Sequence, residues 1–191
     1  MVPYAGVPLH VFEERYRRLM KDCLAGDRRF GIVMIERGSE VGGGDVRTGI
    51  GTLVEIAEAE ELPDGRWVLV AIGLQRFRVV EWLPDDPYPR AVVDVLEDPP
   101  AEAGIGTRDE LEQRVRRLAA LLAELGEPAP PVDVELSDDP VAAGFQALAV
   151  APVGPLDMQR ILEIDDPDHR LAETLAALEE AEQLLVLQLE S

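Results

Sequence analysis

The sequence predicts an α+β fold in which an antiparallel β half is followed by a helical half. Short apolar segments between Phe30 and Leu96 are separated by turn residues, whereas the segments after Thr107 carry apolar residues at helical spacing. Between them, Asp98-Pro99-Pro100-Ala101-Glu102-Ala103-Gly104-Ile105-Gly106 combines proline and glycine and divides the two textures. The expected organisation is a β-rich subdomain over residues 1–98, a linker over 99–106 and a helical subdomain over 107–191.

The first predicted element is an amphipathic helix opened by Pro8, with Phe12, Tyr16, Leu19, Met20, Cys23 and Leu24 on one face and Gly26 as its stop. Phe30 to Ile35 reads as a buried strand, Glu40 to Arg47 as a glycine-rich loop, and Thr48 to Ala59 as a second strand. Leu62-Pro63-Asp64-Gly65-Arg66 is the sharpest turn signal, because proline presets its first torsion and glycine accepts a positive one. Trp67 to Ile72, Arg76 to Trp82 and Arg90 to Leu96 complete the strands, with Gly73 read as a break. Such sequential short strands pair antiparallel and curl toward a barrel that hides its edges.

In the helical half, Thr107-Arg108-Asp109-Glu110 reads as a capping box ahead of the stripe Leu111, Val115, Leu118, Leu122 and Leu125. Shorter helices are predicted from Asp139-Pro140 through Leu148 and from Pro155 through Leu162. Asp166-Pro167 starts a last helix carrying Leu171, Leu175, Leu178 and Leu185. Asp-Asp-Pro recurs at Asp85, Asp138 and Asp165. Its bland explanation outweighs acid-base or metal chemistry: two copies cap helices and the third sits in a turn.

A net charge of −20 over 191 residues disfavours polyanions, so nucleic acid is not an expected partner. Cys23 is the only cysteine, which leaves neither an intrachain disulfide nor a cysteine-rich metal framework, and no apolar run is long enough for a membrane span. The cytoplasm is the expected compartment. The only lysine, Lys21, is followed by Asp22 and cannot complete a phosphate-binding loop. Ser39, Ser137 and Ser191 lack a nucleophile elbow, and His10 and His169 are far apart. No catalytic residue, cofactor or metal is therefore expected.

Pro8-Leu9-His10-Val11-Phe12-Glu13-Glu14-Arg15-Tyr16 resembles the signature of the amino-terminal domain of Lon proteases. Arg29-Phe30-Gly31-Ile32-Val33, Gly51-Thr52-Leu53-Val54, Leu62-Pro63-Asp64-Gly65-Arg66, Arg76-Phe77-Arg78-Val79, Pro87-Tyr88-Pro89-Arg90-Ala91 and Asp157-Met158-Gln159-Arg160-Ile161-Leu162-Glu163 follow in that family's order. The resemblance implies a PUA-like pseudobarrel followed by a helical bundle. It also implies a stand-alone, non-enzymatic member without the ATPase and protease modules, one that recognises unfolded or tagged polypeptide. Any peptidase label would be inherited by family name. Family members usually begin with a further strand, for which Met1 to Gly6 leaves no room, so the expectation is that either the start lies upstream or one sheet edge is open.

Glu14, Arg15 and Arg18, on the charged side of the first helix, are the candidate peptide contacts, against the simpler reading of a solvated face with a Glu14-Arg18 pair. Two other readings stand beside the binding module. One is a small-molecule-binding or hydrolytic enzyme using a cleft between the halves, and the other is a scaffold for a separate ATPase or protease.

Overall fold

The computed structural model describes residues 1–37, 46–102, 105–131 and 133–190. Its contacts divide the chain into two compact units, Met1–Glu97 and Asp98–Ser191. The fold is α+β, an antiparallel sheet with one helix and then a region of four helices. The predicted loop from Glu40 lies outside the described residues up to Asp45.

The first unit contains β1 (Gly6–Val11), α1 (Glu14–Ala25), β2 (Arg29–Arg37), β3 (Val46–Glu61), β4 (Trp67–Leu83) and β5 (Arg90–Val95). The sheet order is β1-β4-β3-β2, with β5 also paired to β4. β1 takes the first half of β4, from Val11 opposite Trp67 to Gly6 opposite Ile72. β5 takes the second half, from Phe77 opposite Val95 to Leu83 opposite Arg90. Register shifts pass over Ala57 in β3 and Leu74 and Val80 in β4. One extra residue at each bends the strand and increases its twist.

One sequence expectation is corrected here. Pro8 does not open a helix: Gly6–Val11 is β1, and α1 begins only at Glu14. Val7, Leu9 and Val11 are half-buried while the residues between them are exposed, a period of two that competes with helical spacing over so short a stretch. Pro8 is tolerated because β1 lies at an edge, where a missing N–H need not interrupt a ladder. Phe12 precedes the helix and is 59% exposed.

Nor does Gly73 break the strand, because β4 runs unbroken through it. It marks a close backbone approach: the Tyr4 N–H donates to the Gly73 carbonyl at 2.8 Å, and the Gly73 N–H donates to the Ala5 carbonyl at 2.9 Å. A Cβ there would collide with the Val2 carbonyl. This docking buries Val2 completely, and desolvation holds the Met1 ammonium below its ordinary pKa. The core of the unit gathers Met20 and Cys23 of α1 with Val54, Ile56, Trp67, Leu69 and Ala71 of the sheet. Cys23 behaves as the small buried residue expected, its thiol pushed up to about 11 by burial and then by Asp27 and Asp22.

The second unit holds α2 (Ile105–Leu125), α3 (Pro140–Val150), α4 (Pro155–Leu162) and α5 (Pro167–Leu189). The Asp-Pro starts form as predicted, Asp139 accepting from the Val141 N–H and Asp166 from the His169 N–H. The capping box does not form, because Thr107 lies inside α2. Neither Ile105 nor Gly106 is a residue type that forbids helical torsions, so the helix starts ahead of the threonine. Leu111, Val115, Leu118 and Leu122 of α2 pack with Leu171, Leu178 and Leu185 of α5 around small residues of α3.

Two polar anchors fasten this unit. Arg170, only 3% exposed, donates to the Ile164 carbonyl, pairs with Asp98 at 2.8 Å and lies over the Phe145 ring at 4.8 Å. Glu112 accepts from the Leu136 N–H at 3.1 Å and pairs with Arg108 at 2.9 Å and Arg116 at 2.8 Å.

Two outcomes follow for stability. A Cβ on Gly51 would sit 2.5 Å from the Ile32 carbonyl and 2.6 Å from the Phe77 ring, whereas one on Gly49 meets nothing within 4 Å. Gly51→Ala should cost about 1 to 3 kcal/mol and lower the thermal midpoint by several degrees, with Gly49→Ala nearly neutral in the same melts. The Glu112 carboxyl is held below its ordinary value of 4.5, first by the Leu136 N–H and, against the opposing cost of burial, by Arg108 and Arg116. The folded state therefore binds fewer protons than the unfolded one between those two pKa values, so stability rises with pH there. Urea midpoints should hold above about pH 4.5 and fall as pH drops through the depressed value. Glu112→Gln should cost about 1 to 3 kcal/mol at neutral pH and flatten that acid limb.

Candidate functional site

The site is a half-open groove of about 420 Å³ in the first unit. Its floor is Phe77 of β4, whose ring lies where side chains at two facing positions would be. A Cβ on Gly31 would come within 2.8 Å of that ring and one on Gly51 within 2.6 Å. Two glycines on neighbouring strands thus give a phenylalanine room to lie flat against backbone. Phe30, Ile32 and Val33 of β2 form one wall, and Val79, Trp82 and Val93 of β4 and β5 form another.

The remaining wall is α1 and the residues leading into it, with Phe12, Glu13, Tyr16 and Leu19 facing the groove. Glu13 is the N-cap residue but makes no side-chain cap bond; its carboxylate instead accepts from Arg15 Nε at 3.0 Å. Arg17 donates to the Asp64 carbonyl in the β3–β4 turn at 3.4 Å. Tyr88 in the β4–β5 turn donates to Asp22 Oδ2 at 3.1 Å, and desolvation with the Asp22 carboxylate raises the phenol's pKa. The helix is therefore tied to the β3–β4 and β4–β5 turns of the sheet it closes over.

At the rim, the Arg47 guanidinium lies 4.8 Å over the Trp82 ring, and His10 meets Phe12 edge to face at 6.5 Å. The lining is dominated by aromatic and aliphatic side chains, with His10, Glu13, Tyr16 and Arg47 as its titratable or charged members. Such a surface can desolvate an apolar segment and orient it through a few polar groups. Among the described residues there is no group of three or more His, Cys, Asp or Glu that could hold a metal ion. No described helix is long and apolar enough to cross a membrane.

The three residues singled out from the sequence lie beside this groove rather than in it. Glu14 is exposed and pairs with Arg17 at 3.3 Å, and Arg18 pairs with Asp22 at 3.1 Å, so the expected Glu14-Arg18 pair is replaced by these two. Arg15 is half-buried, pairs with Glu13 and lies over the Tyr16 ring at 4.5 Å, touching two lining residues. Sequence reasoning missed Phe77 and Trp82. Their signal was the pair of strand glycines, Gly31 and Gly51, which announce a bulky neighbour without identifying it.

The family model for the ATP-dependent protease La (LON) substrate-binding domain matches residues 1–180. The Lon protease 2 of Myxococcus xanthus is 30% identical over 97% of this chain, which corresponds to 23% of that protein. The LON peptidase N-terminal domain and RING finger protein C14F5.10c of Schizosaccharomyces pombe is 26% identical over 96% of the chain and 44% of its own length. The chain thus spans less than half the length of these curated relatives. Among solved structures, a Lon N-terminal domain protein from Xanthomonas campestris aligns at TM-score 0.66 and 27% identity, covering 92% of this chain and 91% of that one. The N-terminal domain of the Mycobacterium avium complex Lon protease, at TM-score 0.61 and 19% identity, shares the fold. By its order of elements and the match over residues 1–180, the chain belongs to the LON substrate-binding domain family.

Proposed function

We propose that this chain is a non-catalytic polypeptide-binding module that holds an apolar segment of unfolded or tagged protein in the groove of its β unit. The groove is the observation that carries this reading: an apolar trough of about 420 Å³ on a member of a substrate-binding domain family. Unfolded chains display side chains that folded ones bury, and seating them on Phe12, Tyr16 and Trp82 removes apolar area from water at about 25 cal/mol per Å². The net charge of −20 disfavours acidic segments relative to neutral or basic ones. Arg15 positions Glu13 and Tyr16 at the groove, whereas Glu14 and Arg18 act on a bound segment only through charge.

Anisotropy titration of the purified protein against a fluorescently labelled, chemically unfolded protein, with and without ATP, should give saturable binding and leave the labelled protein intact. Its cleavage by homogeneous protein would overturn the reading. Trp82 is 40% exposed, so Trp82→Ala should weaken binding about tenfold or more while the melting curve moves little. Arg18→Ala, which removes only an exposed ion pair, should leave the affinity within about twofold.

A further inference from the structure

We infer that the span from Asp98 to Glu102 is a latch of the helical unit: it closes over the opening turn of α5, and its release loosens the corner where α3, α4 and α5 meet at Arg170. In the sequence the same residues read as the division between two textures, most of them as linker.

The latch is fastened at both ends and in between. At one end the Asp98 carboxylate lies 2.8 Å from Arg170 Nη2, the two side chains being 16% and 4% exposed. At the other, the Glu102 N–H donates to Asp168 Oδ2 at 3.0 Å. Ala101 packs against the core of the helical unit. Asp168 and Arg170 both stand in the opening turn of α5, so the span crosses that helix where it begins. Pro99 and Pro100 are exposed within it. Their fixed φ restricts the paths the span can take, and neither brings an N–H that has to be satisfied. The latch starts abruptly: Leu96 still belongs to the sheet, its N–H donating to the Arg76 carbonyl of β4 at 2.9 Å, and the helical unit begins at Asp98.

Arg170 is what makes the latch matter. Its Nη1 donates to the Ile164 carbonyl in the connection between α4 and α5 at 2.6 Å, and its guanidinium lies 4.8 Å over the Phe145 ring of α3. One α5 side chain therefore touches α3, the α4–α5 connection and the latch. A buried guanidinium is costly unless its charge is met, and withdrawing a carboxylate leaves its desolvation uncompensated. Of these three contacts, Phe145 is held within α3 and Ile164 between two helices. Asp98 sits at the end of a short non-helical span, so it can leave without unwinding a helix.

Amide exchange followed by NMR on the full chain reads the latch directly. The Glu102 amide should exchange at least about tenfold more slowly than an unstructured amide, and Asp168→Ala, which removes its acceptor, should erase that protection. An unprotected Glu102 amide in the unaltered protein would overturn the proposal outright. Asp98→Ala should speed exchange about tenfold or more at the amides of Glu163, Ile164 and Arg170, while the Leu136 amide, held by Glu112 elsewhere in the unit, keeps its rate. An equal rise at Leu136 would make Asp98 a general stabiliser of the fold and would also overturn the latch.

A second variant keeps the test open if Asp98→Ala fails to fold. Inserting Gly-Ser between Glu97 and Asp98 lengthens the chain just outside the latch, where loop closure costs little, and should leave Glu102 and Ile164 protected as before. Loss of their protection would mean that the span is held in place from the strand side rather than by α5, and the latch would be refuted.

Discussion

The Phe77 ring resting on the bare backbone of Gly31 and Gly51 is the contact on which the groove depends. It sets the identity of three residues on three strands at once, since a Cβ on either glycine would meet the ring at under 3 Å. The ring in turn requires the register that places Gly51 opposite both Val33 and Phe77. A larger residue at either glycine would either push β2 away or tip the ring up into the groove. The groove is thus a consequence of tight packing beneath it rather than a gap left by loose packing.

Above that floor, α1 is restrained by polar contacts at its solvent side as well as by burial of Met20 and Cys23. Arg17 reaches the β3–β4 turn and Asp22 receives the β4–β5 turn through Tyr88. Each bond is individually modest, because these groups are in contact with water. Their positions matter more than their strength: both turns are tethered to the same helix, so the wall carrying Tyr16 and the wall carrying Trp82 cannot separate without breaking them. The helical unit uses a different device. Arg170 and Glu112 are buried charges with several partners each, and losing one partner would leave the other desolvated without compensation.

The helical half was readable because its starts are local. An aspartate followed by proline satisfies the first turn and fixes its torsion whatever lies nearby, and both Asp139 and Asp166 cap as read. The β half was readable in order but not in detail. Gly73 looks like a break because sequence cannot show the Val2 carbonyl that needs its missing side chain. Pro8 to Phe12 fits both periods over a few residues, and only pairing with Val70 to Trp67 decides for the strand. The charged candidates came from a helical face, whereas the groove is assembled from residues on five strands and a helix that no spacing rule connects. Glycine was the one sequence signal with the right physical content, and it pointed to crowding rather than to a cavity.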